Sequence, residues 1–228
     1  MTRPHIVINM ASSVDGKITS AAREYPRLTS RRDKLLMDRI RAESDAVVIG
    51  AGTLRADDPP LQVRDAAMRA HRLQHGKATP LMCVLVSRRL EVSPEARFFA
   101  DNAGARLVIA TCASAPAAKI ARLSDRAEIW QLGETTVDLT QLVARLHAEG
   151  VARLLVEGGG ELNWGFVAAG LVDEIYLTLA PTLLGGRDAP TLLEGEGLTM
   201  AEQQRLELID VRAEDSEVFL HYRVALKS

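Results

Sequence analysis

Apolar residues in this chain gather into short, nearly unbroken runs, with amphipathic stretches between them. The runs at 6–11, 46–49, 81–86 and 106–110 suit strands covered on both faces, as in parallel sheets. Shorter runs at 127–130 and 154–157 predict two more strands. Residues 31–42 predict a helix with Leu35, Leu36 and Ile40 on one face and Thr29 or Ser30 as its cap. Ser114 and Pro116 open a short helix that ends at Leu123. The clearest helix begins at Asp138, where Gln141 completes a capping box. Leu139, Leu142, Val143 and Leu146 form its stripe, and Gly150 stops it.

Beyond Gly170 the period changes. Residues 173–180 alternate apolar and polar until Pro181, which suits either a dimer edge or an interior strand. Residues 205–212 and 217–225 alternate too, joined by the charged turn 213–216, and predict an antiparallel C-terminal hairpin. The polar, basic segment 64–79 is expected to be the least ordered. The expected fold is α/β: a mixed, mainly parallel sheet flanked by helices, forming one domain over residues 1–228. Ligands of such open sheets sit beyond the carboxyl ends of the strands.

Composition changes this picture little. Apolar residues make up 47% and charged residues 25% of 228 positions, with a formal net charge of −2. That balance argues against a nucleic-acid partner bound through bulk electrostatics. Aromatics are 4%, too few for base-stacking platforms. Cys83 and Cys112 fall in or beside buried strands and read as reduced, packed thiols of a cytoplasmic protein. Asp15 and Lys17 follow the first apolar run too closely for a signal peptide, and no apolar stretch is long enough to cross a bilayer.

Four strand ends carry candidate chemistry. Residues 12–17, 50–59 and 87–89 follow the first three, and Gly158-Gly159-Gly160 follows the strand at 154–157. Glycine turns let a phosphate approach the backbone, and the helix expected next, with Leu162, Phe166 and Val167 on one face, points its positive end there. The same triplet also suits a tight turn that binds nothing. Asp57-Asp58 lacks a third ligand at metal spacing, so hydrogen bonding is the expected role. His71 and His75 also lack further ligands, and no Gly-x-Ser-x-Gly elbow exists. No metal is expected. A dinucleotide fits this edge, held unlike the Gly-x-Gly-x-x-Gly motif because the triplet and its surroundings differ from it.

Three motifs together resemble one family. Ala11-Ser12-Ser13-Val14-Asp15-Gly16-Lys17, Gly50-Ala51-Gly52-Thr53 through Asp57-Asp58-Pro59-Pro60-Leu61, and Val156-Glu157-Gly158-Gly159-Gly160 are similar to the pyrimidine-phosphate reductase of riboflavin biosynthesis. That reductase is often the C-terminal half of a bifunctional deaminase-reductase. Asp173-Glu174-Ile175-Tyr176 and Ala180-Pro181 through Gly185-Gly186 extend the likeness over nearly the whole chain. The resemblance implies a dihydrofolate-reductase-like three-layer fold, a homodimer, NADPH as hydride donor and a small phosphorylated pyrimidine as substrate. It implies that Ala11, Thr53, Asp57, Ser87, Arg88 and the stretch Gly159, Gly160, Glu161, Leu162, Asn163 (continuing to Gly165) contact NADPH. Arg41, Pro60, Leu61, Arg64 and Glu157 would face the substrate, with Lys17 near its reacting end.

The chemistry gives those residue types a purpose. A glycosylamine must open to an iminium before its C1′ accepts hydride, so a proton donor and a cation-stabilising group are needed; Lys17 and Glu157 are the candidates. Arg41 and Arg64 are expected to converge on the substrate phosphate. A folate-type substrate would instead require a carboxylate facing its pterin. A non-catalytic nucleotide binder would turn the acid and base candidates away from the nicotinamide. The sequence departs from the family at 23–27 and at Val86, and holds no His-x-Glu with Pro-Cys-x-x-Cys, the deaminase signature.

Overall fold

The computed structural model describes residues 3–23, 28, 30–102 and 104–225. Its strands are β1 (His5–Ser13), β2 (Ala46–Gly50), β3 (Met82–Val86), β4 (Leu107–Thr111) and β5 (Glu128–Gln131), then β6 (Arg153–Val156), β7 (Glu174–Ala180), β8 (Leu206–Glu214) and β9 (Glu217–Val224). The helices are α1 (Arg31–Glu43), α2 (Ala51–Asp57), α3 (Ala66–Gln74), α4 (Arg97–Ala100), α5 (Ala117–Leu123), α6 (Leu139–Ala148) and α7 (Gly160–Ala168). The strands form a nine-stranded sheet in the order β5-β4-β3-β2-β6-β1-β7-β9-β8. Pairings from β5 through β7 are parallel, and β9 then pairs antiparallel with both β7 and β8.

The unbroken apolar runs follow from burial on two faces. Along β1, Ile6 and Ile8 pack into one cluster with α6 and α7 residues, while Val7 packs into the other with Ile40 and Leu54. β2 divides Val48 from Val47 and Ile49 in the same way. Helices thus cover both faces in three layers, as the pattern predicts.

Two expectations change. Strand β7 lies between β1 and β9, so the alternating segment 173–180 is interior and the sheet edge passes to β8. The C-terminal hairpin adds its strands outside β7 and covers it. Segment 64–79 also holds more order than its polarity suggests, because α3 forms within it. Asp65 caps α3 by accepting the Met68 N–H at 2.9 Å. Arg72, 1% exposed, donates to the carbonyls of Arg41, Ala42, Ser44 and Ala78. An arginine fork that satisfies carbonyls at the C-terminal end of α1 replaces the apolar stripe the segment lacks. Helix α2 likewise fills part of the loop expected at 50–59.

Candidate active site

The site begins where one strand stops short. β6 ends at Val156, level with Ile8 of β1 and Val48 of β2, while β1 runs on to Ser13 paired with β7. A notch therefore opens beyond β6, between the extended end of β1 and the start of α2. It holds a cavity of about 340 Å3.

The glycine turn forms one wall. Gly158 has φ +74°, and a Cβ there would lie 2.6 Å from Met10 Sδ, so glycine alone lets this turn pack on β1. Gly159 donates its N–H to Thr53 Oγ1 at 2.8 Å, which joins α2 to the start of α7. Gly160 packs beneath the segment 191–194, where a Cβ would lie 2.6 Å from the Thr191 carbonyl oxygen. One side of the corner is thus filled by protein, and the Gly159 side faces the cavity. The first helical bond of α7 runs from the Asn163 N–H to the Gly159 carbonyl, so the Gly160, Glu161 and Leu162 N–H groups precede it at the positive helix end.

A buried ion pair forms the opposite wall. Arg41 is 1% exposed and makes two hydrogen bonds to Glu157, at 2.7 Å and 2.6 Å. Its remaining bonds go to the Pro60 and Gln62 carbonyls, both at 3.1 Å. Burial works against the Arg41 charge, but Glu157 beside it outweighs that and raises its pKa. Every hydrogen bond of Arg41 is therefore made inside the protein.

The expected site residues separate into two groups. Ala11, Thr53, Asp57, Gly159, Gly160, Glu161 and Leu162 line the cavity, as do Arg41, Arg64 and Glu157. Burial raises the Asp57 pKa against the pull of Arg97 and Arg64. The others lie behind or beside the wall. Leu61 is fully buried, and Pro60 contributes its carbonyl to Arg41. Asn163 is fully buried and donates to the Leu192 carbonyl at 3.0 Å. Ser87 is buried and accepts the Leu90 N–H at 3.1 Å, while Arg88 is exposed at the end of the neighbouring strand β3. Lys17 lies at the rim, its Nζ donating to the Ala189 carbonyl at 3.0 Å.

The expected convergence of Arg41 and Arg64 on a phosphate does not occur, because Glu157 holds Arg41. Arg64 shares the cavity instead with Lys34 and Arg23, and none of these three makes an ion pair among the described residues. Asp58, the neighbour of Asp57, turns away and its carboxylate accepts the Phe98 N–H at 3.0 Å. His71 and His75 stack at 4.0 Å, and no group of three or more His, Cys, Asp or Glu among the described residues is arranged to hold a metal. The family departure at 24–27 lies outside the described residues, as does Thr29; Ser30 caps α1, accepting the Arg32 and Asp33 N–H groups.

Sequence reasoning missed Asn9, Asp33 and Lys34, all of which line the cavity. Helical spacing held a signal for two of them. Asp33 and Met37 stand two turns and one turn before Arg41 on the same face of α1, and Lys34 flanks that line.

Known proteins share this arrangement of strands and turns. The family model for the RibD C-terminal domain matches residues 4–220. The chain is 40% identical over 208 residues to the 2,5-diamino-6-ribosylamino-4(3H)-pyrimidinone 5′-phosphate reductase of Archaeoglobus fulgidus, covering 91% of this chain and 93% of that protein. A reductase of the same name from Methanothermobacter thermautotrophicus is 38% identical over 90% of this chain and 91% of its own length. Among solved structures, a pyrimidine reductase-like protein from Corynebacterium diphtheriae superposes with a TM-score of 0.85 at 20% identity, over 98% of this chain and 93% of that one. Acinetobacter baumannii RibD superposes with a TM-score of 0.80 at 24% identity, over 99% of this chain and 59% of that one. These neighbours share the dihydrofolate-reductase-like fold that the motifs imply. With its strand order, its notch beyond β6 and its motifs all matched across nearly its whole length, the chain belongs to the RibD C-terminal domain family.

Proposed function

We propose that this chain is an NADPH-dependent reductase of riboflavin biosynthesis that converts the ribosylamino group of a phosphorylated aminopyrimidinone to a ribitylamino group. One observation carries the reading. A single cavity is lined by Thr53, Asp57, the turn at 159–162 and the carboxylate of Glu157. Two archaeal relatives of similar length bear the name of that reductase, which supports it.

The corner at Gly159 fits a nucleotide pyrophosphate, since the first-turn N–H groups of α7 precede any helical acceptor and the glycine leaves space for close approach. Ala11, Thr53 and Asp57 would flank NADPH there, and Ser87 and Arg88 lie at the next strand end, on the side suited to its 2′-phosphate. When bound, NADPH supplies the hydride that reduces C1′.

The chain's own residues prepare that carbon. Ring opening breaks the C1′–O4′ bond, places a proton on O4′ and leaves positive charge on the C1′–N unit. Glu157, fixed by Arg41, stabilises that charge at no cost in reorganisation. Lys17 is the proton donor: one Nζ–H is held by Ala189, and the other two have no partner among the described residues. Arg64, Lys34 and Arg23 take the substrate phosphate, while Arg41 acts as a positioning residue through Glu157.

Steady-state NADPH oxidation with the ribosylaminopyrimidinone phosphate, beside dihydrofolate, tests the reading. Turnover of the first alone is expected; turnover of dihydrofolate alone, or NADPH binding with no turnover, overturns it. Lys17→Ala and Glu157→Gln are each expected to lower kcat by about a hundredfold while NADPH affinity stays near that of the parent. Unchanged turnover in both removes them from the mechanism.

The working unit in this reading is a single domain over 1–228, acting as a cytoplasmic homodimer. Two features support the dimer. Strand β8 is exposed along its whole length, and it presents Leu206, Leu208, Ile209 and Val211 at a sheet edge.

A further inference from the structure

One group in the cavity has no role in the reaction as described. Asp33 sits in the first turn of α1, is 4% exposed and lines the cavity. At the third position of a capping box an acid ordinarily turns back toward the cap; this one turns inward. Asn9 lines the same region from β1, 8% exposed, with its Oδ1 enclosed and no donor reaching it. The fully buried Thr178 hydroxyl on β7 lies beside Asp33 and likewise has no partner that completes a hydrogen bond. Buried polar groups are normally satisfied, so three such groups at one wall mark a surface built for a polar ligand.

The chemistry of the wall selects the ligand. An ionised carboxylate accepts hydrogen bonds only, and it pairs best with two parallel donors. A 2-amino-4(3H)-pyrimidinone offers that arrangement, with its ring N3–H and 2-amino group side by side. A uracil-type ring offers N3–H beside a C2 carbonyl, whose lone pairs face a carboxylate unfavourably.

We propose that Asp33, assisted by Asn9 and Thr178, binds the amidine edge of the pyrimidinone and makes the enzyme selective for the substrate that still carries its 2-amino group over its deaminated counterpart. The assignment rests on the reductase reading and adds to it a residue that determines specificity. Loss of the 2-amino group would replace an attraction with a lone-pair repulsion in a buried place, where such mismatches are costly.

The surroundings of Asp33 make the preference depend on pH. Burial pushes its pKa up to about 6; the Thr178 hydroxyl opposes the rise, while Glu217 of β9 and Glu157 after β6 add to it, and Lys34 on α1 opposes it. Arg41, two turns along α1, is committed to Glu157. Asn9 and Thr178, on β1 and β7, carry no charge. Above about pH 6 the carboxylate accepts both donors, and below it the protonated acid loses one acceptor.

Two measurements test the proposal separately from the reaction. The first compares kcat/KM for the diamino and the uracil-type ribosylamino phosphates in the parent, Asp33→Asn and Asp33→Ala. The parent is expected to favour the diamino compound by about ten- to a hundredfold, and Asp33→Ala to erase most of that ratio. Asp33→Asn, whose amide can donate to a C2 carbonyl, is expected to shift the ratio toward the uracil type. The second measures binding of the bare rings, 2,6-diamino-4(3H)-pyrimidinone and 6-aminouracil, by ligand-observed NMR at about pH 5 and 8. The diamino ring is expected to bind more tightly to the parent at the higher pH, with the difference lost in both variants. Ring discrimination that depends on Asp33, without turnover of either phosphate, sinks the proposed reaction and keeps the subsite. Equal affinity of the parent for both rings, binding of neither, or discrimination that survives in Asp33→Ala overturns the subsite.

Discussion

Arg41 carries its charge into a place with almost no water, and it is tolerated because four hydrogen bonds meet it there. Such a pair adds little net stability over a well-packed apolar core, but either partner left alone would be an uncompensated buried charge. Its value here is placement, since it fixes the Glu157 carboxylate at the notch. Asp33 presents the opposite case, a buried acid that no ion pair compensates. With its folded pKa raised from 3.8 to about 6, the folded state holds a proton that the unfolded chain has already released. The resulting penalty is absent below pH of about 4, grows as pH rises to about 6, and is complete above it, at roughly 2–3 kcal/mol. Asp33→Asn is therefore expected to be more stable than the parent at about pH 8 and equal to it near pH 3.5, as read by urea denaturation. A variant that loses stability at pH 8 would mean that the ionised carboxylate is satisfied within the fold. Stability gained where selectivity is lost is the usual signature of a residue kept for its ligand.

At the scale of elements, the cradle depends on the fit between a helix start and the segment packed over it. Gly160 leaves no space for a side chain against the Thr191 carbonyl, and Glu194 donates its N–H back to the Gly160 carbonyl. The Glu194 carboxylate closes the segment on itself by accepting from Thr191 N and Oγ1. Lys17 holds the same segment at Ala189, and Asp15 holds its start by accepting the Leu184 and Gly185 N–H groups. Ser13 and those two amides keep the Asp15 carboxyl down at about 2, so this tie is present throughout the working pH range. Gly160→Ala must displace backbone, and it is expected to loosen 189–194 and raise the KM for NADPH several-fold while the distant sheet stays intact. Hydrogen exchange resolved by segment is the measurement. Faster exchange spread evenly over β2 and β3 would instead indicate general destabilisation.

At the scale of the whole molecule, exposure falls on one side of the sheet order. At one end, β5 is flanked by β4 and carries charged Glu128, held by Arg106 at 2.7 Å. At the other end, β8 leaves Leu208 at 54% and Val211 at 52% exposure. Apolar residues in that number at an unpaired edge invite association. Leu208→Lys is expected to shift the protein from dimer toward monomer in sedimentation equilibrium while its circular dichroism stays unchanged. A monomeric parent would remove β8 as the interface. The sequence spoke well at this scale where one physical rule acted alone. Unbroken apolar runs implied strands buried on both faces, and the changed period beyond Gly170 implied the antiparallel hairpin. It spoke less well where a local pattern had to be weighed against distant partners: α3 lacked an apolar stripe, and β7 alternated like an edge strand.

Sequence alone determined the strands, most helices, the mainly parallel sheet and the family motifs. These follow from periodicity and turn chemistry, which act between near neighbours in the chain. Tertiary structure decided that Arg41 serves Glu157 and no phosphate, that Ser87 and Asn163 lie off the cavity, and that Asp33 faces into it. Those outcomes depend on which charges share a desolvated space. Burial energies for charges are set by partners far away along the chain, and no local pattern encodes them.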